Sequence, residues 1–358
     1  MVGGSPRRSR DPASPGPRAR PRAVCFDARV RVTVLGAGSW GTTVAAICAG
    51  GNPTTLWARS AEVAEVINRD HTNPTYVQGF RLPSKLHATS DLGEAASECD
   101  LLVVGVPTAA FRTVVTEVGR HVRPWIPVVS LAKGLEQGSH RRMTEIIREA
   151  LPGHPAAALT GPNIAREILS GHAAASVIAT EDLTVAAAIQ HVVGRDLFRV
   201  YLNHDVIGCE MGGALKNIIA IAAGIGEGLG VGDNTRAAVM SRGLAEITRL
   251  GVAMGAEPAT FAGLAGMGDL IATCMSPYSR NRRVGEALGR GQSLPVVLDD
   301  LHMVAEGVAT AGVVLELADR LGMELPICRV INEVIQGAVS PRQAYRGLTP
   351  AGHEADPG

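Results

Sequence analysis

The chain has 358 residues, of which 46% are hydrophobic, and its 34 Lys and Arg are balanced by 34 Asp and Glu. That composition suffices for two globular domains with sizeable cores and excludes a chain that is disordered overall. Zero net charge gives no electrostatic case for general binding to nucleic acid or to acidic membranes, while leaving room for local basic sites. No apolar run reaches the roughly 18 residues of a membrane span. The nearest stretch, Ile218 to Ile225, is flanked by Lys216 and Glu227 and reads as a buried helix. The six cysteines (Cys25, Cys48, Cys99, Cys209, Cys274 and Cys328) form no C-x-x-C pair, and no His cluster has metal-ligand spacing, so reduced thiols and no metal are expected.

Residues 1–28 stand apart, with Pro and Gly interrupting Arg7, Arg8, Arg10, Arg18, Arg20 and Arg22. No hydrophobic segment follows Arg7-Arg8, which argues against a secretory or twin-arginine signal, and a disordered extension is the simplest reading. A start codon chosen too far upstream and an Arg-rich transit peptide stay open. The tail at 349–358 is also polar and punctuated by Pro and Gly, and reads as flexible.

From Val30 to about Leu202 short β-branched runs alternate with helical patterns, the signature of a doubly wound parallel sheet. Strands are expected at 31–35, 54–58, 101–106, 127–131, 157–160, 175–179 and 198–202, mostly apolar on both faces as a helix-covered sheet requires. Between the first strand and an Ala-rich helix at Thr42 to Ala49 lies Gly36-Ala37-Gly38-Ser39-Trp40-Gly41, a G-x-G-x-x-G run that points to a bound dinucleotide. Gly36 permits the tight turn, Gly38 lets backbone approach a pyrophosphate, and Gly41 lets the helix pack closely, with its N-terminal N–H groups aimed at the anion. An acidic residue that would hold the ribose of NAD is missing after the second strand, where Arg59 stands instead. A guanidinium there can face the 2′-phosphate of NADP, so acceptance of NADPH is expected; an ordinary solvated residue is the other reading.

From about Asp205 the alternation stops and apolar positions recur at helical spacing. The resulting architecture is α/β: a Rossmann-like domain at 29–203 followed by an all-helical substrate domain at 204–348. Helices are expected from about Asp205 through Ile225, from Asn234 to about Gly251, and at 304–321 and 325–337.

Four polar clusters carry the chemistry. Lys133-Gly134-Leu135-Glu136 lies at the end of the fourth expected strand, and Gly161-Pro162-Asn163-Ile164-Ala165 forms another strand-to-helix turn. Lys216-Asn217 sits inside an apolar helix, where burial or the nearness of Lys133 would lower a lysine's pKa and let it exchange a proton near neutrality. A structural lysine paired to a carboxylate is the alternative there. Gly266-Met267-Gly268-Asp269-Leu270, followed by Ser279-Arg280-Asn281-Arg282-Arg283, offers Gly-rich backbone and a fixed cation suited to a phosphoryl group, or else a solvated basic helix end. Cys274 falls nearby and reads as a core residue.

In order and spacing these motifs, with Gly232-Asp233-Asn234-Thr235-Arg236, resemble the NAD(P)-dependent glycerol-3-phosphate dehydrogenase family from about Val30 to Arg346. The resemblance implies that Lys216 exchanges the proton at the C2 oxygen, that Lys133 contacts substrate and cofactor, and that Asp269 supports the lysine. It assigns Gly161, Asn163, Ser279, Arg280 and Asn281 to the substrate. Ser39, Trp40, Arg59, Ala165 and Arg280 would line the NAD or NADP site, with Val304 and Glu306 closing it. Asn163 stands where serine is common in bacterial members. The implied reaction interconverts dihydroxyacetone phosphate and sn-glycerol 3-phosphate for glycerophospholipid synthesis, in a cytoplasmic homodimer. Related dehydrogenases of hydroxy acids or sugar-acid phosphates, and a nicotinamide-binding regulator without turnover, are the rival readings.

Overall fold

The computed structural model describes residues 1, 29–195, 197–301 and 305–348. The extension and tail expected at 1–28 and 349–358 therefore fall, apart from Met1, outside the described residues, as does Val304. The N-terminal elements are β1 (Val32–Leu35), α1 (Ser39–Ala49), β2 (Thr54–Trp57), α2 (Ala61–Asp70), β3 (Leu86–Thr89), α3 (Leu92–Ala96), β4 (Leu101–Val104) and α4 (Thr108–Val118). They continue through β5 (Val128–Ser130), α5 (Met143–Ala150), β6 (Ala156–Thr160), α6 (Ala165–Leu169), β7 (Ala174–Ala179), α7 (Leu183–Val193) and β8 (Phe198–Asn203).

The eight strands form one sheet in the order β3-β2-β1-β4-β5-β6-β7-β8. β6 and β7 pair antiparallel and the other neighbours pair parallel. Strand order reverses between β1 and β4, which opens a crevice beyond their C-terminal ends, where ligands bind in open α/β sheets. Both faces are covered. Val32 and Val34 pack with Val44, Ala45 and Cys48 of α1, while Leu35, Leu102 and Val104 pack with Phe111, Val115, Ile146 and Ile147 under α4 and α5. Each of the Val, Leu, Ile and Phe side chains among these, fully buried, contributes about 1.5–3 kcal/mol.

One strand is missing from the sequence reading. β3 lies at the sheet edge, and its Leu86-His87-Ala88-Thr89 exposes His87, so it lacks the unbroken burial of β1 and β4. Its pairing to β2, Thr54 with Leu86 through Trp57 with Thr89, defines it. Lys133 accordingly follows the fifth strand rather than the fourth.

The helical domain comprises α8 (Val206–Leu229), α9 (Asp233–Ala253), α10 (Pro258–Ala262), a π-helical turn (Leu264–Gly268), α11 (Asp269–Met275), α12 (Arg280–Gly289), α13 (Leu294–Leu301), α14 (Glu306–Arg320), α15 (Pro326–Ile335) and α16 (Pro341–Leu348). α8 runs past the expected end at Ile225, to Gly230 in the left-handed conformation (φ 73°). At its start the Asp205 carboxylate accepts the Gly208 N–H at 2.8 Å and that of Glu257 at 2.9 Å. The helix is long and apolar enough to cross a membrane by composition alone, yet 94% of its most apolar stretch is buried inside the protein. It is the hub of the helical core.

Glycines set how close α12 comes to that hub. A Cβ on Gly224 would lie 2.1 Å from the Arg282 carbonyl oxygen, and one on Gly285 would lie 2.0 Å from that of Ile221. The two backbones touch at positions only glycine allows. This contact holds the N-terminus of α12 beside the middle of α8.

Candidate active site

β1 ends in the glycine turn. Gly36 has φ 110°, and a Cβ there would stand 2.9 Å from the Gly105 carbonyl group beyond β4. A Cβ on Gly41 would meet the Gly36 carbonyl oxygen at 2.0 Å, whereas one on Gly38 would meet nothing within 4 Å. The turn is thus tight on its inner side and open at the N-terminus of α1, which no side chain caps. Free N–H groups beside open space fit the pyrophosphate of a dinucleotide.

The other residues expected near the dinucleotide fare differently. The Ser39 hydroxyl donates to the Tyr76 carbonyl at 2.9 Å, and the Trp40 ring packs edge-on against Phe198 at 6.0 Å with its buried Nε1 unpartnered. Arg59 is exposed two residues beyond the end of β2, and no hydrogen bond or ion pair joins it to another described residue. Ala165 opens α6 and is half-buried. Glu306 opens α14; burial lifts its carboxyl above the usual range, opposed first by the Arg280 guanidinium and then by a backbone hydrogen bond from Lys133.

At the centre, one carboxylate serves two lysines. Lys133, in the loop after β5, places Nζ 2.7 Å from Asp269 Oδ2 and donates to the Gly161 carbonyl at 2.8 Å. Lys216, on α8, donates to Asp269 Oδ1 and, at 2.6 Å, to Thr273 Oγ1. The Thr273 hydroxyl in turn donates to the Asp269 carbonyl at 2.6 Å, so its lone pairs face the lysine. Asp269 is 1% exposed and Lys216 5%. Two cations against one anion leave the cluster positive, which favours an anionic ligand or a negative charge developing on oxygen. Burial brings Lys216 down to about 8, with Lys133 pushing the same way and Asp269 opposing.

A chain of amides braces this cluster. Asn217 donates to the Lys133 carbonyl at 3.2 Å and accepts from Asn281 Nδ2 at 2.9 Å, while Asn281 Oδ1 accepts the Gly307 N–H at 3.0 Å. Asn281, expected to touch substrate, therefore has both ends of its amide engaged within the protein. Ser279 caps α12 by accepting the Arg282 N–H at 3.3 Å. Arg280 is half-buried at the first position of that helix. Asn163 accepts the Ser176 hydroxyl at 2.5 Å and leaves its buried Nδ2 without a partner. That unsatisfied donor beside the Gly161 turn can take an acceptor from a ligand.

The Gly266 backbone does not form the expected phosphoryl cradle. It lies in the π-helical turn, and a Cβ there would stand 2.2 Å from the Phe261 carbonyl oxygen, so α10 covers it. π-Turns often mark functional sites, and this one delivers Asp269 to the lysines. Cys274 is buried, and burial pushes its thiol up to about 12, as a core residue requires. The sequence reading gave Asn217 no role and missed Thr273. Its signal was spacing: Thr273 stands four residues after Asp269, on the same helical face.

Residues 31–186 match the family described as NAD-dependent glycerol-3-phosphate dehydrogenase N-terminus, and residues 205–346 match its C-terminus. The chain is 56% identical over 332 residues to a Sphingopyxis alaskensis protein named glycerol-3-phosphate dehydrogenase (NAD(P)+) 2, covering 92% of this chain and 100% of that one. A Mycobacterium avium protein named glycerol-3-phosphate dehydrogenase (NAD(P)+) is 52% identical, with 90% of this chain and 96% of that one covered. Among solved structures, glycerol-3-phosphate dehydrogenase from Coxiella burnetii superposes with a TM-score of 0.86 at 33% identity, covering 89% of this chain and 98% of that one.

Proposed function

The chain belongs to the NAD-dependent glycerol-3-phosphate dehydrogenase family, and we propose that it interconverts dihydroxyacetone phosphate and sn-glycerol 3-phosphate through the cluster of Lys133, Lys216 and Asp269. The observation that carries this reading is the single buried carboxylate shared by the two lysines. The Gly36–Gly41 turn would hold the nicotinamide dinucleotide, which in its reduced form would supply a hydride to C2 and in its oxidised form would accept one. Lys216, as the ammonium, gives its proton to the C2 oxygen during reduction and, as the amine, removes it during oxidation. Lys133 stabilises negative charge developing on that oxygen. Asp269 and Thr273 take two of the Lys216 N–H bonds and leave the third for substrate. Arg280 meets the phosphate, and Asn281 holds Arg280's helix against α8 through Asn217. Fixing the phosphate aligns C2 with the cofactor through binding energy remote from the reacting carbon.

Ser39, Trp40, Arg59, Ala165 and Glu306 complete the dinucleotide site in this reading, and Gly161, Asn163 and Ser279 border the substrate. The dinucleotide domain extends over 29–203 and the substrate domain over 204–348. By family resemblance the enzyme acts in the cytoplasm as a homodimer through its helical domain and feeds glycerophospholipid synthesis. Sedimentation of the purified chain tests the dimer.

The function is tested by following reduced-cofactor absorbance with dihydroxyacetone phosphate and with unphosphorylated dihydroxyacetone. Rapid oxidation that depends on the phosphate is expected. Oxidation with a hydroxy-acid precursor instead, or none with any ketone, would overturn the substrate.

A further inference from the structure

Lys133 and Lys216 reach Asp269 from different segments, so the spacing between the loop after β5 and α8 decides where the two amines meet. Glu210, Gly213 and Asn217 lie at i, i+3 and i+7 of α8 and share one helical face. Asn217 and Gly213 both meet Lys133: the amide donates to its carbonyl at 3.2 Å, and a Cβ on the glycine would sit 3.6 Å from its Cγ. Glu210 meets the far end of the same segment. Its buried carboxylate accepts Arg142 Nη1 at 2.7 Å, the Thr144 N–H at 2.9 Å and the Thr144 hydroxyl at 2.5 Å. A side chain of the helical domain therefore caps the first turn of α5 in the dinucleotide domain.

We propose that Glu210 is a positioning residue for catalysis, clamping Arg142 and Thr144 to α8 so that Lys133 is held at a fixed place beside Lys216. The clamp is dry: Arg142 is 7% exposed and Glu210 8%, so a neutral replacement at Glu210 leaves the guanidinium with Glu145, at 3.3 Å, as its one ion-pair partner among the described residues, beside the Thr144 hydroxyl at 3.3 Å. The inference rests on the catalytic reading of the two lysines. Glu246 supplies the internal comparison. It is as buried and caps α15 through the Ile327 and Cys328 N–H groups at 2.7 and 3.2 Å, and among the described residues no hydrogen bond or ion pair joins it to residues 133–144.

The test compares Glu210→Gln, Glu210→Asp, Thr144→Val and Glu246→Gln in the full chain. It reads melting temperature, kcat and KM with dihydroxyacetone phosphate, and the rate at which a small acylating reagent labels Lys133 and Lys216, located by peptide mass spectrometry. Glu210→Gln is expected to lower kcat roughly tenfold or more, because small displacements of catalytic groups are costly, and to speed labelling of Lys133. Glu210→Asp restores part of both, and cofactor KM stays within about twofold. Glu246→Gln lowers the melting temperature and moves neither kcat nor labelling. If Glu210→Gln does not fold, Thr144→Val, which removes one donor, shows the same two changes to a smaller degree. Lower melting temperatures with wild-type kcat and labelling in the Glu210 and Thr144 variants would overturn the clamp. Faster Lys133 labelling in a chain whose wild type oxidises no cofactor would support the clamp and remove the lysine reading instead.

Discussion

Asp269 holds Lys133 at 2.7 Å through Oδ2 while its other carboxylate oxygen takes Lys216, so a single side chain fixes both amines. Its replacement by Asn takes from two largely buried cations the carboxylate that pairs with both. Breaking a buried pair from one side typically costs about 3–5 kcal/mol. Asp269→Asn is therefore expected to lower stability on that scale in urea unfolding. Loss of the carboxylate also removes the influence that raises Lys216, so whatever reduction activity remains falls off at lower pH than in the wild type.

The pH dependence follows from Lys216 at about 8. Reduction needs the ammonium, so kcat for dihydroxyacetone phosphate falls as pH rises through about 8, while kcat for oxidation rises through the same range. The groups facing Lys216 are Asp269, Thr273 and Cys274 of α11, Lys133 after β5 and Glu306 of α14. Cys274, pushed up to about 12, stays neutral throughout. Lys133→Met removes the neighbouring cation and moves the limb to higher pH. Profiles of kcat in both directions check the sign.

Gly285→Ala sets helix propensity against packing. Alanine in a helix interior gains about 1 kcal/mol over glycine, but the Cβ would lie 2.0 Å from the Ile221 carbonyl oxygen and drive α12 off α8. The clash wins: a lower melting temperature is expected, with a raised KM for substrate because Arg280 and Asn281 move with the helix. At Gly312, in α14, the nearest atom to a new Cβ is Asn332 Oδ1 at 3.9 Å, so Gly312→Ala should be neutral or stabilising. Thermal unfolding of the two variants separates these effects.

Arg59 is exposed and pairs with no described residue, so its removal leaves folding unchanged. Arg59→Ala is expected to raise KM for NADPH several-fold or more while leaving KM for NADH near the wild-type value, since only the 2′-phosphate would meet the guanidinium. Equal changes with both cofactors would remove Arg59 from that role.

The readable parts of this chain are those in which a residue answers a local constraint. Gly36 and Gly41 are needed where backbone meets backbone, and a lysine inside an apolar helix stands out because burial is unfavourable for it. β3 was not legible, since four residues at a sheet edge acquire strand character from β2. The joint grip of Asp269 was not legible either: its partners lie 136 and 53 residues away, and spacing carries no record of such contacts. Gly266 read as an open cradle because glycine permits close approach, whereas the approaching group is α10 rather than a ligand. Asn281 read as a substrate ligand, and only the packing of α8 against α12 shows its amide braced between Asn217 and Gly307.

The proton-transfer role of Lys216 is tested most directly by kcat for reduction of dihydroxyacetone phosphate in Lys216→Met against wild type, with dinucleotide affinity measured in parallel. A fall of roughly 10²- to 10⁴-fold at nearly unchanged dinucleotide affinity is the expected result. Near-wild-type kcat in a folded variant would contradict it and leave Lys216 a structural partner of Asp269.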